Sequence, residues 1–467
     1  MTTENRRKKA NTEESGRNLV QPTDSAMADK AEREPSILPS SQSYQYDPRI
    51  EMVVSGYNMI QAVDAVVRNK GAPGIDGMTT KEIKGVIEKQ WPKIRQEILE
   101  GKYRPSPVKR VEIPKPDGKG FRKLGIPTIL DRVIQQSIYQ VIETAFDTTF
   151  SKNSYGFRPG RNAHQAITQA QEYIQEGYEW VVDIDLEKFF DKVNHDILMS
   201  RIARKIKDKK ILLLIRRFLQ AGVMENGLVK ATDEGTPQGG PLSPLLSNIM
   251  LDDFDKELEK RGHKFARYAD DCNIYVRTEI AGQRVKQSVT KYLTTKLKLK
   301  VNEEKSAVAR PWERKFLGFT FTTGKTPGKI TVHPSRIERF KDKIRVLTKK
   351  MRGRKVTDSI KKLIMPITRG WTNYFGIAEM PSIFKDLDGW IRRKIRGIVW
   401  RQWKNRRTRY KQLRLLGLKE GSAGACGYSR KGPWRMARAP GVHKALSNAY
   451  IESMGYISMI ELREARS

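Results

Sequence analysis

Two acidic segments carry the residues most able to do chemistry. The run Phe265-Ala266-Arg267-Tyr268-Ala269-Asp270-Asp271-Cys272-Asn273-Ile274-Tyr275-Val276 sets adjacent carboxylates at a bend between two short apolar stretches. Neighbouring carboxylates repel, and they stay ionised side by side mainly when a divalent cation or strong donors neutralise them. A lone Asp-Asp turn is more often a solvated loop. A second segment upstream, Trp180-Val181-Val182-Asp183-Ile184-Asp185-Leu186, changes that balance. In a strand of period two, Val182 and Ile184 pack inward while Asp183 and Asp185 share the other face. If the two segments pair in one sheet, Asp185 and Asp270 can hold two Mg²⁺ ions about 3.5–4 Å apart, Mn²⁺ substituting, with Asp271 completing the site. Such a site suits in-line attack by a 3′-hydroxyl on a triphosphate.

The composition names the kind of partner. A formal charge of +36 over 467 residues exceeds that of an ordinary solvated surface, and self-repulsion on this scale calls for a polyanion. Nucleic acid fits better than a membrane, because the basic residues run through nearly every segment rather than along one face of an amphipathic helix. With only Cys272 and Cys426, neither a disulfide framework nor a cysteine-rich zinc module is expected. No long apolar run and no signal-peptide pattern are visible, so the expectation is a soluble, cytoplasmic chain that stays with RNA or the nucleoid and binds no membrane.

The elements that must position these residues follow from spacing. Residues 1–46 are polar and basic and read as a disordered tail. Met52, Val53, Ile60, Val63 and Val67 suggest one helix, and a second helix is expected after Thr79. Val108–Pro114 and Phe121–Ile126 read as a hairpin turning at Lys115–Gly120. A helix from Ile129 to Phe146 buries Val133, Ile134, Ile138 and Val141, with Arg132 expected to brace a carboxylate. Ser335-Arg336-Ile337-Glu338 reads as a capping box ahead of Phe340, Ile344, Leu347 and Met351. His164 and His195 lack a partner at ligand spacing and read as structural.

In order along the chain stand Gly74-Ile75-Asp76-Gly77, Asp185 with Phe190 five residues on, Asn194-His195-Asp196, Thr236-Pro237-Gln238-Gly239-Gly240-Pro241-Leu242-Ser243-Pro244, Tyr268-Ala269-Asp270-Asp271, Val301-Asn302-Glu303-Glu304-Lys305-Ser306 and Phe316-Leu317-Gly318-Phe319. Gly370-Trp371-Thr372-Asn373-Tyr374-Phe375 and Leu387-Asp388-Gly389-Trp390-Ile391 follow. This series resembles the group II intron-encoded reverse transcriptase/maturases from about Ile50 to Trp403. The resemblance implies an α+β right-hand polymerase: fingers and palm over 47–325, a helical thumb with maturase domain X over 326–410, and a basic extension over 411–467 that touches DNA or RNA.

It also implies roles. Lys115 and Arg122 match positions that hold the triphosphate, and Phe190 matches the one that collides with a ribose 2′-hydroxyl. Gln238 matches a position at the sugar and template edge, where its amide can donate and accept. Lys305 is a candidate proton donor to pyrophosphate. Arg158 would hold template backbone, and Tyr268 and Ala269 would lie where primer and template pass. Between Ile391 and Leu415 eleven Lys/Arg and no Asp/Glu, interleaved with Trp400, Trp403 and Tyr410, suit RNA by phosphate pairing and stacking; Arg392, Arg393, Arg396, Arg401, Lys404, Arg406 and Arg407 lead that cluster. The resemblance makes dNTPs, a DNA primer or target and group II intron RNA the partners, and nothing in the sequence chooses between a monomer and a dimer on that RNA. Many relatives end in a cysteine-containing HNH nuclease. Here His443 is the only histidine after His333 and Cys426 the only cysteine after Cys272, so no such nuclease is expected, and priming by a nascent strand or another nick is implied. Two rival readings remain: a splicing cofactor without polymerase activity, and a retron, diversity-generating or CRISPR-linked reverse transcriptase, against which the domain X motifs argue.

Overall fold

The two acidic segments do pair. A computed structural model describes residues 46–114, 120–225, 228–230, 235, 239–324, 327–351 and 353–465. In chain order its strands are β1 (Val108–Pro114), β2 (Phe121–Ile126), β3 (Trp180–Ile184), β4 (Val223–Glu225), β5 (Leu228–Lys230), β6 (Lys264–Tyr268), β7 (Asp271–Val276), β8 (Ala307–Ala309), β9 (Phe319–Phe321) and β10 (Ile330–Val332). One four-stranded sheet runs β2-β1-β4-β5, with β1 antiparallel to β2 and parallel to β4. The other runs β6-β7-β3-β8 and is antiparallel throughout.

The second sheet is buried on both faces, and its period-two pattern says why. Val182, Ile184, Phe265, Cys272 and Ile274 enter one apolar core with the helices Ser243–Lys260 and Glu279–Lys296. Val181, Ala266 and Tyr275, pointing the other way, join a second core with helix Ala163–Gln175 and the Phe316–Phe321 strand pair. The strands are thus clamped over their length, and only their ends can offer polar chemistry.

That second core continues into the C-terminal half. Helices Pro334–Lys350, Met365–Phe375 and Pro381–Gln402 pack there, and so do Leu413, Val442, Leu446, Ile451 and Met459. The boundary expected at 410/411 therefore falls inside helix Arg406–Leu415, and the segment beyond it is docked rather than appended. Its attachment is a polar stripe at four-residue spacing, one helix face by geometry. Asp388 accepts from Tyr456 Oη at 2.6 Å and from Met459 N at 2.9 Å; Arg392 lies 3.1 Å from Glu452; Arg396 donates to Leu446 O at 2.7 Å and Asn448 Oδ1 at 2.8 Å.

Three local expectations are corrected. The helix expected over Met52–Val67 is broken: Ser55 caps a new helix, Gly56–Asn69, by accepting from Asn58 N, and the buried stripe is Met59, Ala62, Val63 and Val66 while Met52 and Ile60 are exposed. His333, not Ser335, caps the helix at Pro334, because proline already sits in its first turn. Arg132 braces the carbonyls of Pro127 and Ala72 rather than a carboxylate. The helix Ile129–Asp147 and the strands flanking the 115–119 turn form where the pattern placed them, the turn itself lying outside the described residues.

Removing the Asp388 carboxylate strands a buried tyrosine hydroxyl and a buried amide. We expect Asp388→Ala to lower stability by about 2–4 kcal/mol and to make the segment after residue 440 a site of rapid limited proteolysis. Unchanged cleavage there would count against the docked arrangement.

Candidate active site

Register brings the carboxylates together. Trp180 pairs with Val276 and the ladder runs to Ile184 opposite Cys272, so one further step sets Asp185 against Asp271. Asp270 lies in the two-residue turn that joins Tyr268 to Asp271. Of the two turn residues only Ala269 has positive φ, at 58°. That is the pattern of a II′ hairpin turn, where glycine is usual and alanine is strained.

Asp185 is held from the neighbouring segment: its amide donates to Ser306 Oγ at 2.9 Å, and its carbonyl accepts from Asn302 N at 2.8 Å. Lys305 lies 3.8 Å from its carboxylate, with 63% of the lysine side chain exposed. A pair this exposed is weak and easily exchanged. Asp183 is tied more firmly, to Arg314 at 2.6 and 2.9 Å.

The electrostatics show what the ring lacks. Burial of its carboxyl, then the charges of Asp270, Asp183 and Asp185, push Asp271 up to about 7, against a weaker pull from Lys315. The residue keeps an open side toward solvent, so water and ions reach it. Asp270 is also raised, first by burial and then by Asp185, while Arg122 and Arg267 oppose the shift. Among the described residues no three acidic side chains already converge closely enough to chelate one ion. The donor set is nonetheless all oxygen and mutually repulsive, the chemistry that hard divalent cations relieve.

Around this ring the other expected residues are placed unevenly. Arg122 is exposed on β2, and its field reaches Asp270. Phe189 is buried, and Phe190 is half-buried against it with ring centroids 5.2 Å apart. The backbone of Gly235 sits so close to the Phe190 carbonyl that an added Cβ would lie 3.0 Å from it. Lys115 and Gln238 lie outside the described residues. Tyr268 is half-buried, its ring 5.9 Å from that of Phe157. His195 donates to Gly235 O at 2.6 Å and His164 to Tyr374 O at 2.7 Å, both structural bonds.

Four arginines expected at nucleic acid, Arg158, Arg392, Arg393 and Arg396, are engaged within the protein instead. The Arg158 side chain, only 6% exposed, spends four of its five N–H donors on Asp147 Oδ1 at 2.5 Å and on the carbonyls of Ser151, Ser154 and Asp147, which ties it to the protein rather than presenting it to a template. Arg392 and Arg396 face the C-terminal segment, as described above. Ala269 is 5% exposed, and the Gly156 backbone packs against it so closely that a Cβ on residue 156 would lie 2.3 Å from Ala269 N. Arg393 covers the Trp434 ring at 3.6 Å. Arg401, Lys404, Arg406 and Arg407 remain exposed. Sequence reasoning overlooked Ser306, Arg314 and Lys315; the basic pair directly ahead of Phe316 was the available signal for the last two.

The fold and this carboxylate ring define a reverse transcriptase: residues 113–321 match the family described as reverse transcriptase (RNA-dependent DNA polymerase). Residues 337–416 match the maturase-specific domain of group II introns. The chain belongs to the group II intron-encoded reverse transcriptase/maturases. It is 32% identical to Protein YkfC of Escherichia coli (strain K12), over 54% of this chain and 76% of that protein. It is 40% identical to the group II intron-encoded protein LtrA of Lactococcus lactis subsp. cremoris, over 43% of this chain but only 33% of LtrA. A putative COX1/OXI3 intron 2 protein of Saccharomyces cerevisiae is 33% identical over 46% of this chain and 25% of its own length. No helix among the described residues is long and apolar enough to cross a membrane.

The sign of the Asp271 shift gives a test. A carboxyl raised in the folded state contributes most to stability below its unfolded value, about 4, and that contribution is lost as pH rises toward its folded value, about 7. In metal-free protein, Asp271→Asn should therefore stabilise increasingly between these limits and level off above them, as read by melting temperature. A pH-independent difference would contradict the crowding.

Proposed function

We propose that this chain copies RNA into DNA at the open end of the β6-β7-β3-β8 sheet and grips group II intron RNA with its helical C-terminal half. In that reading it promotes splicing of the intron and its insertion into DNA by target-primed reverse transcription. The observation that carries the reading is the β3–β7 register, which ends at Ile184 opposite Cys272 and so leaves Asp185 and Asp271 next along their strands, beside the tight turn holding Asp270. Domain limits follow in the same sense: fingers and palm over 47–325, and a thumb with domain X beyond, extended by the docked C-terminal segment.

Asp185, Asp270 and Asp271 would hold two Mg²⁺, with Mn²⁺ able to substitute; when bound, the ions neutralise charge on the attacking and leaving oxygens. Asp185 must then exchange Lys305 for a cation, which frees that ammonium to meet the departing pyrophosphate. Arg122 and Lys115 would take the triphosphate of a dNTP. Phe190 would lie beneath the sugar and exclude a 2′-hydroxyl, with Gln238 at the sugar and template edge. Asp183 stays committed to Arg314, which keeps a fourth carboxylate out of competition for the ions. The exposed Arg401, Lys404, Arg406 and Arg407 would pair with RNA phosphates, while a DNA primer or target enters beside Tyr268.

Primer extension on an RNA template separates these roles. Wild type should prefer dNTPs, and Phe190→Ala should reduce discrimination against rNTPs by roughly tenfold or more. Equal discrimination in the variant would remove Phe190 from the sugar site. Neutralising Arg401, Lys404, Arg406 and Arg407 together should weaken intron-RNA binding and flatten its log–log salt slope by about 3, with dNTP addition on a short duplex retained.

A further inference from the structure

Arg267 is the most completely committed side chain near the site. It lies on β6, 1% exposed, against Asp255 of helix Ser243–Lys260, which is 0% exposed. A guanidinium has five N–H donors, and this one makes five hydrogen bonds. Nε and Nη2 reach the two Asp255 oxygens at 2.7 and 2.6 Å, and Nη2 also reaches Ser154 Oγ at 2.7 Å. Nη1 reaches Asn248 Oδ1 at 3.1 Å and the carbonyl of Ala269 at 2.8 Å.

The last bond is the telling one. Ala269 is the strained residue of the carboxylate turn, and Asp270 and Asp271 follow it directly. The same network closes on the turn a second time, because Asn248 donates to Gly156 O at 2.8 Å and Gly156 is the residue pressed against Ala269 N. Arginine and loop are themselves laced together: Tyr155 N donates to Arg267 O, and Arg267 N to Asn153 O, both at 2.9 Å.

We propose that Arg267, oriented by Asp255, is a positioning residue that fixes the Ala269-Asp270-Asp271 turn in the shape that receives divalent cations. The inference rests on the reading that Asp270 and Asp271 bind those cations. A purely structural ion pair would behave differently, since a sealed pair can be replaced by apolar residues of similar volume with little loss of stability, whereas removing one partner is strongly destabilising. The turn carbonyl is lost in both cases.

The test compares Arg267→Lys, Arg267→Met and the double variant Arg267→Met with Asp255→Leu. Readouts are melting temperature, Mn²⁺ binding by the metal alone, amide exchange at residues 269–271 in metal-free protein, and primer extension. We expect the double variant to recover the melting temperature lost in Arg267→Met, yet to bind Mn²⁺ roughly 10–100-fold more weakly than wild type, as losses behind a ligand do. Amide exchange at the turn should be faster in all three variants, and Arg267→Lys, with three donors in place of five, should not rescue it. Wild-type Mn²⁺ affinity and turn protection in the stable double variant would overturn the positioning role alone. Wild-type protein whose Mn²⁺ binding is indifferent to Asp270→Asn would overturn the catalytic reading beneath it.

Discussion

Four carboxylates crowd the end of one antiparallel sheet, and their repulsion is the constraint around which the rest is arranged. Asp183, Asp185, Asp270 and Asp271 each act on at least one of the others, and Asp271 feels all three. Such a group persists only because the scaffold is rigid and the compensating charges are local. Rigidity comes from a sheet buried on both faces, compensation from Arg314 on Asp183, Lys305 on Asp185 and the fields of Arg122 and Lys315. The ring stays electrostatically unsatisfied without a cation, which is what gives it chemistry to do.

The basic surplus divides into two populations with different physics. Arg158, Arg267, Arg392 and Arg396 are turned inward, where a planar fork with several donors ties carbonyls and carboxylates of separate segments together. Arg401, Lys404, Arg406 and Arg407 face solvent, available to a polyanion. Arg158 and Arg267 tie together segments around the sheet, and Arg392 and Arg396 tie helix Pro381–Gln402 to the C-terminal segment. A charge count cannot distinguish them, because both raise the same total.

The pairing of the two acidic segments was legible in the sequence because it rests on period-two alternation and register, which are local. Asp183 and Asp185 flanking Ile184, and the Tyr268–Asp271 hairpin, needed only those rules. Burial direction on a basic helix is not local. Arg392 and Arg396 read as RNA ligands until the segment ending at Glu464 is seen folded back on them, a contact made across some fifty to sixty residues. Arg158 misled for the same reason, since three of its four acceptors are backbone carbonyls that carry no signature in the sequence. The five-bond role of Arg267 was hidden inside a motif whose carboxylates drew attention first. The chain end at 411–467 read as a basic extension, yet its scattered apolar residues join the core of helices Pro334–Lys350, Met365–Phe375 and Pro381–Gln402.

The central claim is that Asp185, Asp270 and Asp271 form one divalent-cation site that synthesises DNA. Its most direct test is the number of Mn²⁺ ions held by the chain with an RNA template, a DNA primer lacking its 3′-hydroxyl and the matching dNTP, measured beside dNTP addition to an intact primer. The account predicts two magnetically coupled ions in wild type, with loss of coupling and of synthesis in Asp185→Asn. Undiminished synthesis by that variant, or synthesis without any divalent cation, would contradict it.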